Sequence, residues 1–126
     1  MTEWLGATTM SSQRRAVSGV TELYEHHADM CKVFSHPIRL MILNLLRKAE
    51  RGVAEISETL DIPFGTVSPH LLMMKRRRVL LSRREGTQIF YRIANSKILD
   101  AFDLIQKILC ERMEDEAAMA RRERSK

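Results

Sequence analysis

The sequence of 126 residues predicts a mainly α-helical domain that carries one β-hairpin. Apolar residues recur at helical spacing through most of the chain, which indicates helices that each bury one face. Late in the chain, two β-prone runs flank a short connection that contains glycine. A composition of 44% hydrophobic and 29% charged residues is enough to bury a core and is not that of a disordered chain.

The first two helices are separated by a proline. Residues 12–35 have a helical pattern, and His36 ends it because a residue that precedes proline disfavours the helical region. Pro37 suits the first turn of the second helix, since its missing amide is not needed there. We expect this second helix to end near Gly52.

The third and fourth helices are short and are joined by a tight turn. The third covers 53–60, and the turn at 61–63 leads to a fourth helix that starts near Phe64. Pro69 stands inside this fourth helix and removes one backbone donor. The helix either continues through Pro69 with a slight bend, which we favour, or Ser68 caps a shorter helix that begins at Pro69.

The β-prone runs and the last helix complete the domain. The runs are 79–84 and 88–93, and the connection between them predicts a hairpin. Asn95 or Ser96 can cap a final helix. Its apolar stripe is expected to contain Ile98, Phe102, Ile105, Leu109 and Met113.

The sequence predicts one folded domain over 13–113, preceded by a flexible N-terminus, 1–12, and followed by a charged C-terminal tail, 114–126. No apolar run approaches the roughly 20 residues that span a bilayer, and the start does not have the pattern of a signal peptide. We therefore expect a soluble cytoplasmic protein without membrane contact. The chain contains no Gly-rich phosphate loop and no nucleophile–base pair, so we expect neither an enzyme nor a bound cofactor.

The helix–turn–helix–hairpin order and the placement of the basic residues indicate a winged helix-turn-helix that binds DNA. The net charge is +5, and positive charge is concentrated where it can neutralise phosphates. The second helix of such a motif enters the major groove, where small polar side chains approach base edges. The hairpin forms a wing whose arginines reach flanking phosphates or the minor groove. The residues expected to contact DNA are Thr66, Ser68, His70, Lys75, Arg76, Arg83, Arg84 and Arg92.

Four sequence blocks carry a family resemblance: HPIRLMIL at 36–43, VAEI at 53–56, TVSPHL at 66–71 and RREGTQIFYRI at 83–93. In this order and spacing they resemble the ArsR/SmtB family of winged helix-turn-helix regulators, over about residues 20–112. The resemblance implies a homodimer that pairs through its N- and C-terminal helices and represses a promoter by binding double-stranded DNA at an inverted repeat. It also implies release by an inducer, commonly a metal ion or a thiol-reactive species. Pro69 departs from the family pattern and cannot make the polar base contact usual there.

The two cysteines are the candidate sensor. Residues 53–55 have no cysteine and the last helix has no histidine, so the family's two familiar metal sites are missing. By position, Cys110 resembles the last-helix cysteine of the redox- and persulfide-sensing branch of this family. Asn44 occupies the usual position of the second cysteine, which leaves Cys31 as the partner. We expect a small thiol-reactive inducer, an oxidant or a persulfide or polysulfide, that acts on Cys31 and Cys110.

Other interpretations remain open. A metal-responsive repressor would use His27 and Cys31, which share a helix face, with Cys110 or His26 completing the site. The cysteines can also be structural, because free cysteines are often simply buried. The chain would then be a constitutive DNA-binding protein or a protein-interaction module. Sequence-specific, salt-dependent DNA binding would exclude the interaction module.

Overall fold

The structure, a computed structural model, describes the backbone of residues 10–125 and the side chains of residues 19–125. Residues 1–9 of the predicted flexible N-terminus lie outside the described residues. None of the described helices is long and apolar enough to cross a membrane. The elements are α1 (Met10–Cys31), a 3-10 helix (Lys32–Ser35), α2 (Pro37–Leu45), β1 (Arg51–Gly52), α3 (Val53–Leu60), α4 (Phe64–Arg76), β2 (Leu80–Glu85), β3 (Gln88–Ile93) and α5 (Lys97–Arg124).

The predicted break between the first two helices is confirmed. His36 has extended backbone angles, φ −139° and ψ 130°, and Pro37 occupies the first turn of α2. The Nδ1 atom of His36 accepts a hydrogen bond from the backbone N–H of Ile38 at 3.1 Å. This side chain therefore satisfies one of the amide donors that the start of a helix leaves without a partner.

The prediction that α2 ends near Gly52 is wrong, because the helix ends at Leu45. The Arg51 Nε donates to the carbonyl oxygen of Leu45 at 3.1 Å and so satisfies one of the free acceptors at the end of the helix. Arg51 and Gly52 then form β1, a strand that was not predicted from the sequence. It pairs antiparallel with β3, and the sheet has the order β1-β3-β2.

The predicted hairpin is confirmed. Leu80 pairs with Ile93, and Gly86 in the connection has a φ of +62°, which a glycine adopts without strain. Because successive side chains alternate between the faces of a sheet, Leu80 and Tyr91 lie on one face and are buried against the helices. The opposite face of the hairpin is directed away from this core.

The helix–turn–helix is also confirmed. Asp61 ends α3 in a left-handed conformation with a φ of +54°, and α4 begins at Phe64 as expected. The helix continues through Pro69, which is the favoured of the two alternatives. Val67 and Leu71 are completely buried and attach α4 to the core.

The C-terminal end of α4 closes in a Schellman motif. The Arg78 N–H donates to the Lys75 carbonyl at 2.9 Å, and the Val79 N–H donates to the Met74 carbonyl at 3.0 Å. Val79 and Met74 are both buried, which is the apolar contact that usually accompanies this motif. Arg78 takes the left-handed position, with a φ of +61°, where glycine is the usual residue.

The last helix packs on its own chain mainly through its first two turns. Phe102 is buried, and Arg47 forms two hydrogen bonds to Asp103, at 2.6 and 2.9 Å. The helix then continues through most of the segment predicted as a charged tail, which is therefore helical. Beyond Phe102, α5 carries an exposed apolar stripe of Leu104, Ile105, Ile108, Leu109 and Met113, and α1 exposes Val20, Leu23 and Tyr24.

Candidate nucleic-acid interface

The start of α4 presents small polar side chains on a rigidly held helix. Thr66 is exposed and Ser68 is half-buried, while Val67 between them is completely buried. The carbonyl oxygen of Pro63 accepts hydrogen bonds from the amides of Thr66 and Val67, at 2.9 and 3.1 Å. This arrangement fixes the direction of the first turn and leaves the Thr66 side chain free to meet a ligand.

Phe64, which is not among the DNA contacts predicted from the sequence, lies beside these residues. Its side chain is 56% exposed and lines a groove of about 260 Å³ between α3, the start of α4 and the wing. Ile89 of the wing lines the same groove. The available signal was an aromatic residue at the first position of the predicted recognition helix, where an apolar side chain can meet a thymine methyl group.

His70 connects α4 to α2 rather than standing free on the surface. Its Nδ1 accepts a hydrogen bond from the Arg39 Nε at 3.2 Å, so the ring proton of the neutral form lies on Nε2. The ring centroid is 4.4 Å from that of His36. Burial, and then the positive charges of His36 and Arg39, lower the pKa of His70, because all three disfavour the imidazolium.

This lowered pKa predicts a pH dependence of stability. The contribution of neutral His70 should be complete above the ordinary pKa of about 6.5 and should be lost as the pH falls through the lower pKa of the folded state. The free energy of unfolding, measured in urea between pH 7.5 and 5, should decrease. His70→Asn keeps an acceptor near Arg39 but does not titrate, so its decrease should be smaller. An identical decrease in both proteins would contradict the assignment.

Arg83 of the wing is held by two carboxylates. Its Nε donates to Glu50 at 2.9 Å and its Nη1 donates to Glu85 at 2.8 Å. The guanidinium carbon also lies 4.5 Å from the centroid of the Phe90 ring. Arg83 lowers the pKa of Glu50, which keeps this carboxylate charged. The positive charge of Arg83 is thus largely compensated within the protein.

The three wing arginines are divided between the two faces of the hairpin. Arg92 is the cross-strand neighbour of Leu81 and shares the face of Arg83, whereas Arg84 is opposite Ile89 on the face that contains Tyr91. Within residues 19–125, Arg84 forms no ion pair. Arg84 is therefore a wing cation without a carboxylate partner, and it lies on the side of the sheet that faces the helices.

The basic run at the end of α4 is only partly available. Lys75 and Arg76 are exposed, whereas Arg77 is half-buried and forms an ion pair with Asp29 of α1. Asp29 also contacts Lys32, and Arg77 and then Lys32 lower the pKa of its carboxyl. The structure thus separates the predicted contacts into the start of α4, its end and the wing.

Cys31 is the last residue of α1 and Cys110 lies in α5. Both thiols are exposed and neither is in a disulfide. Among the side chains of residues 19–125, no three of His, Cys, Asp and Glu gather into a metal site. The expected alternative set of His27, Cys31 and Cys110 is therefore not assembled within one chain.

Comparison with known proteins gives a consistent result. Residues 36–80 match the family model described as bacterial regulatory protein, arsR family, a segment that contains both helices of the helix–turn–helix. Over 90 residues the chain is 38% identical to an uncharacterized HTH-type transcriptional regulator of Methanocaldococcus jannaschii, covering 69% of this chain and 99% of that protein. It is also 39% identical over 85 residues to the transcriptional repressor PagR of Bacillus anthracis, covering 67% of this chain and 85% of PagR.

A solved structure is similar in both fold and sequence. The homodimeric winged helix-turn-helix DNA-binding domain of a possible ArsR-family regulator from Mycobacterium bovis superposes with a TM-score of 0.66. It is 30% identical to this chain, and the match covers 85% of this chain and 92% of that domain. The similarity thus extends beyond the helix–turn–helix to most of the chain.

Proposed function

The chain belongs to the ArsR family of DNA-binding winged helix-turn-helix transcriptional regulators, and we propose that it is a homodimeric repressor whose release from DNA is controlled by thiol chemistry. The relatives support repression, since PagR is a transcriptional repressor, and the Mycobacterium bovis domain supports a homodimer. The observation that carries the DNA-binding part is the start of α4. There, exposed Thr66 and half-buried Ser68 flank the completely buried Val67.

In this proposal, α4 enters the major groove with its first two turns. Thr66 and Ser68 approach base edges. The Nε2–H group of His70 is a further donor, on the side of α4 that faces α2. Lys75 and Arg76 at the end of α4 meet phosphates. The wing supplies Arg84, with Arg83 and Arg92 on its other face. The exposed apolar stripes of α1 and α5 cover one another in the dimer, which places two copies of α4 on the two halves of an inverted repeat.

The two faces of the wing predict unequal contributions of Arg83 and Arg84. The slope of log K against log salt is negative, and we expect Arg84→Ala to reduce its magnitude by about one, because one phosphate contact and its released counterion are lost. Arg83→Ala is the matched control and should change the slope less, since Glu50 and Glu85 already compensate Arg83. The slope is measured by fluorescence anisotropy between about 50 and 200 mM salt. Equal decreases would show that Arg83 leaves its carboxylates to bind phosphate.

The thiol part of the proposal is supported by the exposure and placement of the cysteines. Both thiols are exposed, as a reactive thiol must be, and each lies on one of the two helices that carry the exposed apolar stripes. With an organic trisulfide, RSSSR, two Cys–SH groups form one Cys–S–S–Cys bridge and release RSH and RSSH. The trisulfide is reduced by two electrons while the cysteines are oxidised. A bridge that joins α1 and α5, within or between subunits, would restrain both dimer helices.

The test is fluorescence anisotropy of the DNA upstream of the protein's own gene at one fixed salt concentration. The reduced protein should bind tightly, dimethyl trisulfide should release it, and dithiothreitol should restore binding. Cys31→Ser and Cys110→Ser should each bind DNA normally and resist release. Non-reducing electrophoresis distinguishes a bridge within a subunit from one between subunits.

Two results would contradict the thiol mechanism. If the wild type stays bound after treatment, the protein does not respond to dimethyl trisulfide and binds DNA constitutively in its presence. If the double Cys→Ser variant is released like the wild type, dimethyl trisulfide acts at another group.

A further inference from the structure

A cleft of about 670 Å³ lies between α1 and the C-terminal end of α4. Its lining combines two methionines with charged groups: Met30, Met73, His26, Asp29 and the arginines 76–78. A volume of this size suits a small organic molecule, and an apolar wall with a few polar groups is typical of such sites. Both cysteines lie outside the lining, so this cleft is distinct from the thiol site.

The charge of the cleft is strongly positive. Three guanidinium groups face one carboxylate, and Arg77 and Lys32 already neutralise that carboxylate, Asp29. In the described part of the chain, neither Arg76 nor Arg78 forms an ion pair. Two planar guanidinium groups without a counterion can bind a carboxylate, sulfonate or phosphate through charge-assisted hydrogen bonds.

The backbone at Arg78 is an independent observation. The left-handed conformation at the end of α4, with a φ of +61°, strains any residue that has a Cβ, and glycine would adopt it freely. A positive side chain near a helix C-terminus is favourable, but the neighbouring Lys75 and Arg76 already supply that charge. A strained arginine that lines a cleft indicates a role for its side chain, since strain is typically retained at functional sites.

We propose that this cleft binds a small organic anion, with its charged group on Arg78 and its apolar body on Met30 and Met73. Arg76 also lines the cleft, and the proposed function assigns it to a DNA phosphate. A DNA phosphate on Arg78 is the alternative ligand, but it has no apolar body that would use the two methionines of the lining. A ligand here contacts α1 and α4 together and so connects a dimer helix to the recognition helix.

The probe is 2-naphthalenesulfonate, titrated into the dimeric protein and followed by amide chemical shifts and calorimetry. Its neutral analogue, 2-naphthalenesulfonamide, has the same apolar body. We expect the sulfonate to shift the amides of 26–30 and 73–78 and the sulfonamide to bind at least about tenfold more weakly. Sulfonate shifts confined to α5, or equal affinities of the two compounds, would overturn the proposal.

Arg78→Gly removes the guanidinium and the backbone strain together, so loss of folding cannot explain its effect. It should raise the melting temperature and weaken sulfonate binding by about tenfold or more. Arg122→Ala, which removes an exposed arginine from α5, is the charge-matched control and should bind normally. Unchanged sulfonate affinity in Arg78→Gly would overturn the site. A decrease of about one in its DNA salt slope would assign Arg78 to a phosphate instead and would equally overturn it.

Discussion

Replacing Ile108 by aspartate should convert the dimer into monomers and lower the affinity for an inverted-repeat DNA by at least about 100-fold. Ile108 lies in the exposed apolar stripe of α5, and its side chain is 55% exposed in the single chain. An aspartate there would be an unpaired charge buried at the proposed subunit interface, which costs several kcal/mol. In the proposed complex, a monomer also loses one of the two recognition helices that bind the repeat. Sedimentation equilibrium and fluorescence anisotropy measure the two effects.

Gln106→Asp is the matched control for this change, because it introduces the same group at an exposed polar position two residues away. This control should remain dimeric and should bind DNA with nearly the affinity of the wild type. Far-ultraviolet circular dichroism should show that both variants remain folded, since Ile108 contributes little to the core of its own chain. A dimeric Ile108→Asp protein would place the subunit interface elsewhere.

Truncation of Leu71 should have the largest effect on the fold. Leu71 is completely buried and is one of the side chains that attach α4 to the core. Leu71→Ala removes buried apolar groups and leaves a cavity, which typically costs about 2–5 kcal/mol of unfolding free energy. Because a small domain has only about 5–15 kcal/mol in total, much of its stability should be lost. Urea unfolding at one fixed protein concentration measures the change.

Leu72→Ala removes the same atoms from the next residue of the same helix, but Leu72 is 42% exposed. The intrinsic helix propensities change equally in the two variants, so their difference isolates the effect of burial. We expect Leu72→Ala to cost less than about 1 kcal/mol. Equal losses in the two variants would contradict the packing of α4 described above.

Local signals predicted most of the fold. Proline after His36 marked the start of α2, and buried Val67 and Leu71 at helical spacing identified α4 in spite of Pro69. One proline in the helix is tolerated because the buried side chains on either side hold the chain in place. The hairpin followed from the two β-prone runs and from Gly86, whose left-handed angle matches a tight connection.

The features that the sequence did not predict depend on distant partners. The second helix ends at Leu45 because Arg51 donates a hydrogen bond to the Leu45 carbonyl and then pairs with β3. In this pairing Arg51 lies opposite Tyr91, which is 40 positions later in the chain. Two residues are too few for a strand pattern to be recognised. The helical continuation of α5 was missed because its charged composition resembles a solvated tail, although pairs such as Arg112–Glu116 support a helix.

The site was predicted in its residue types and only partly in its geometry. Alternation along β2 alone puts Arg83 and Arg84 on opposite faces, so their difference was available from the sequence. The carboxylate that compensates Arg83 belongs to Glu50, which is 33 residues away. The contact of His70 with Arg39 spans 31 residues and was equally hidden.

Because most of α5 is exposed in the single chain, hydrogen exchange of its amide protons can report dimer formation residue by residue. Between residues 103 and 125, every side chain except that of Ala118 is exposed in the single chain. Opening of these turns in a monomer is therefore a local helix–coil event, and hydrogen exchange there should be fast compared with exchange at Leu71 or Ile42. Where the partner subunit covers the stripe, protection should increase with protein concentration, whereas protection in the tail beyond the interface should not.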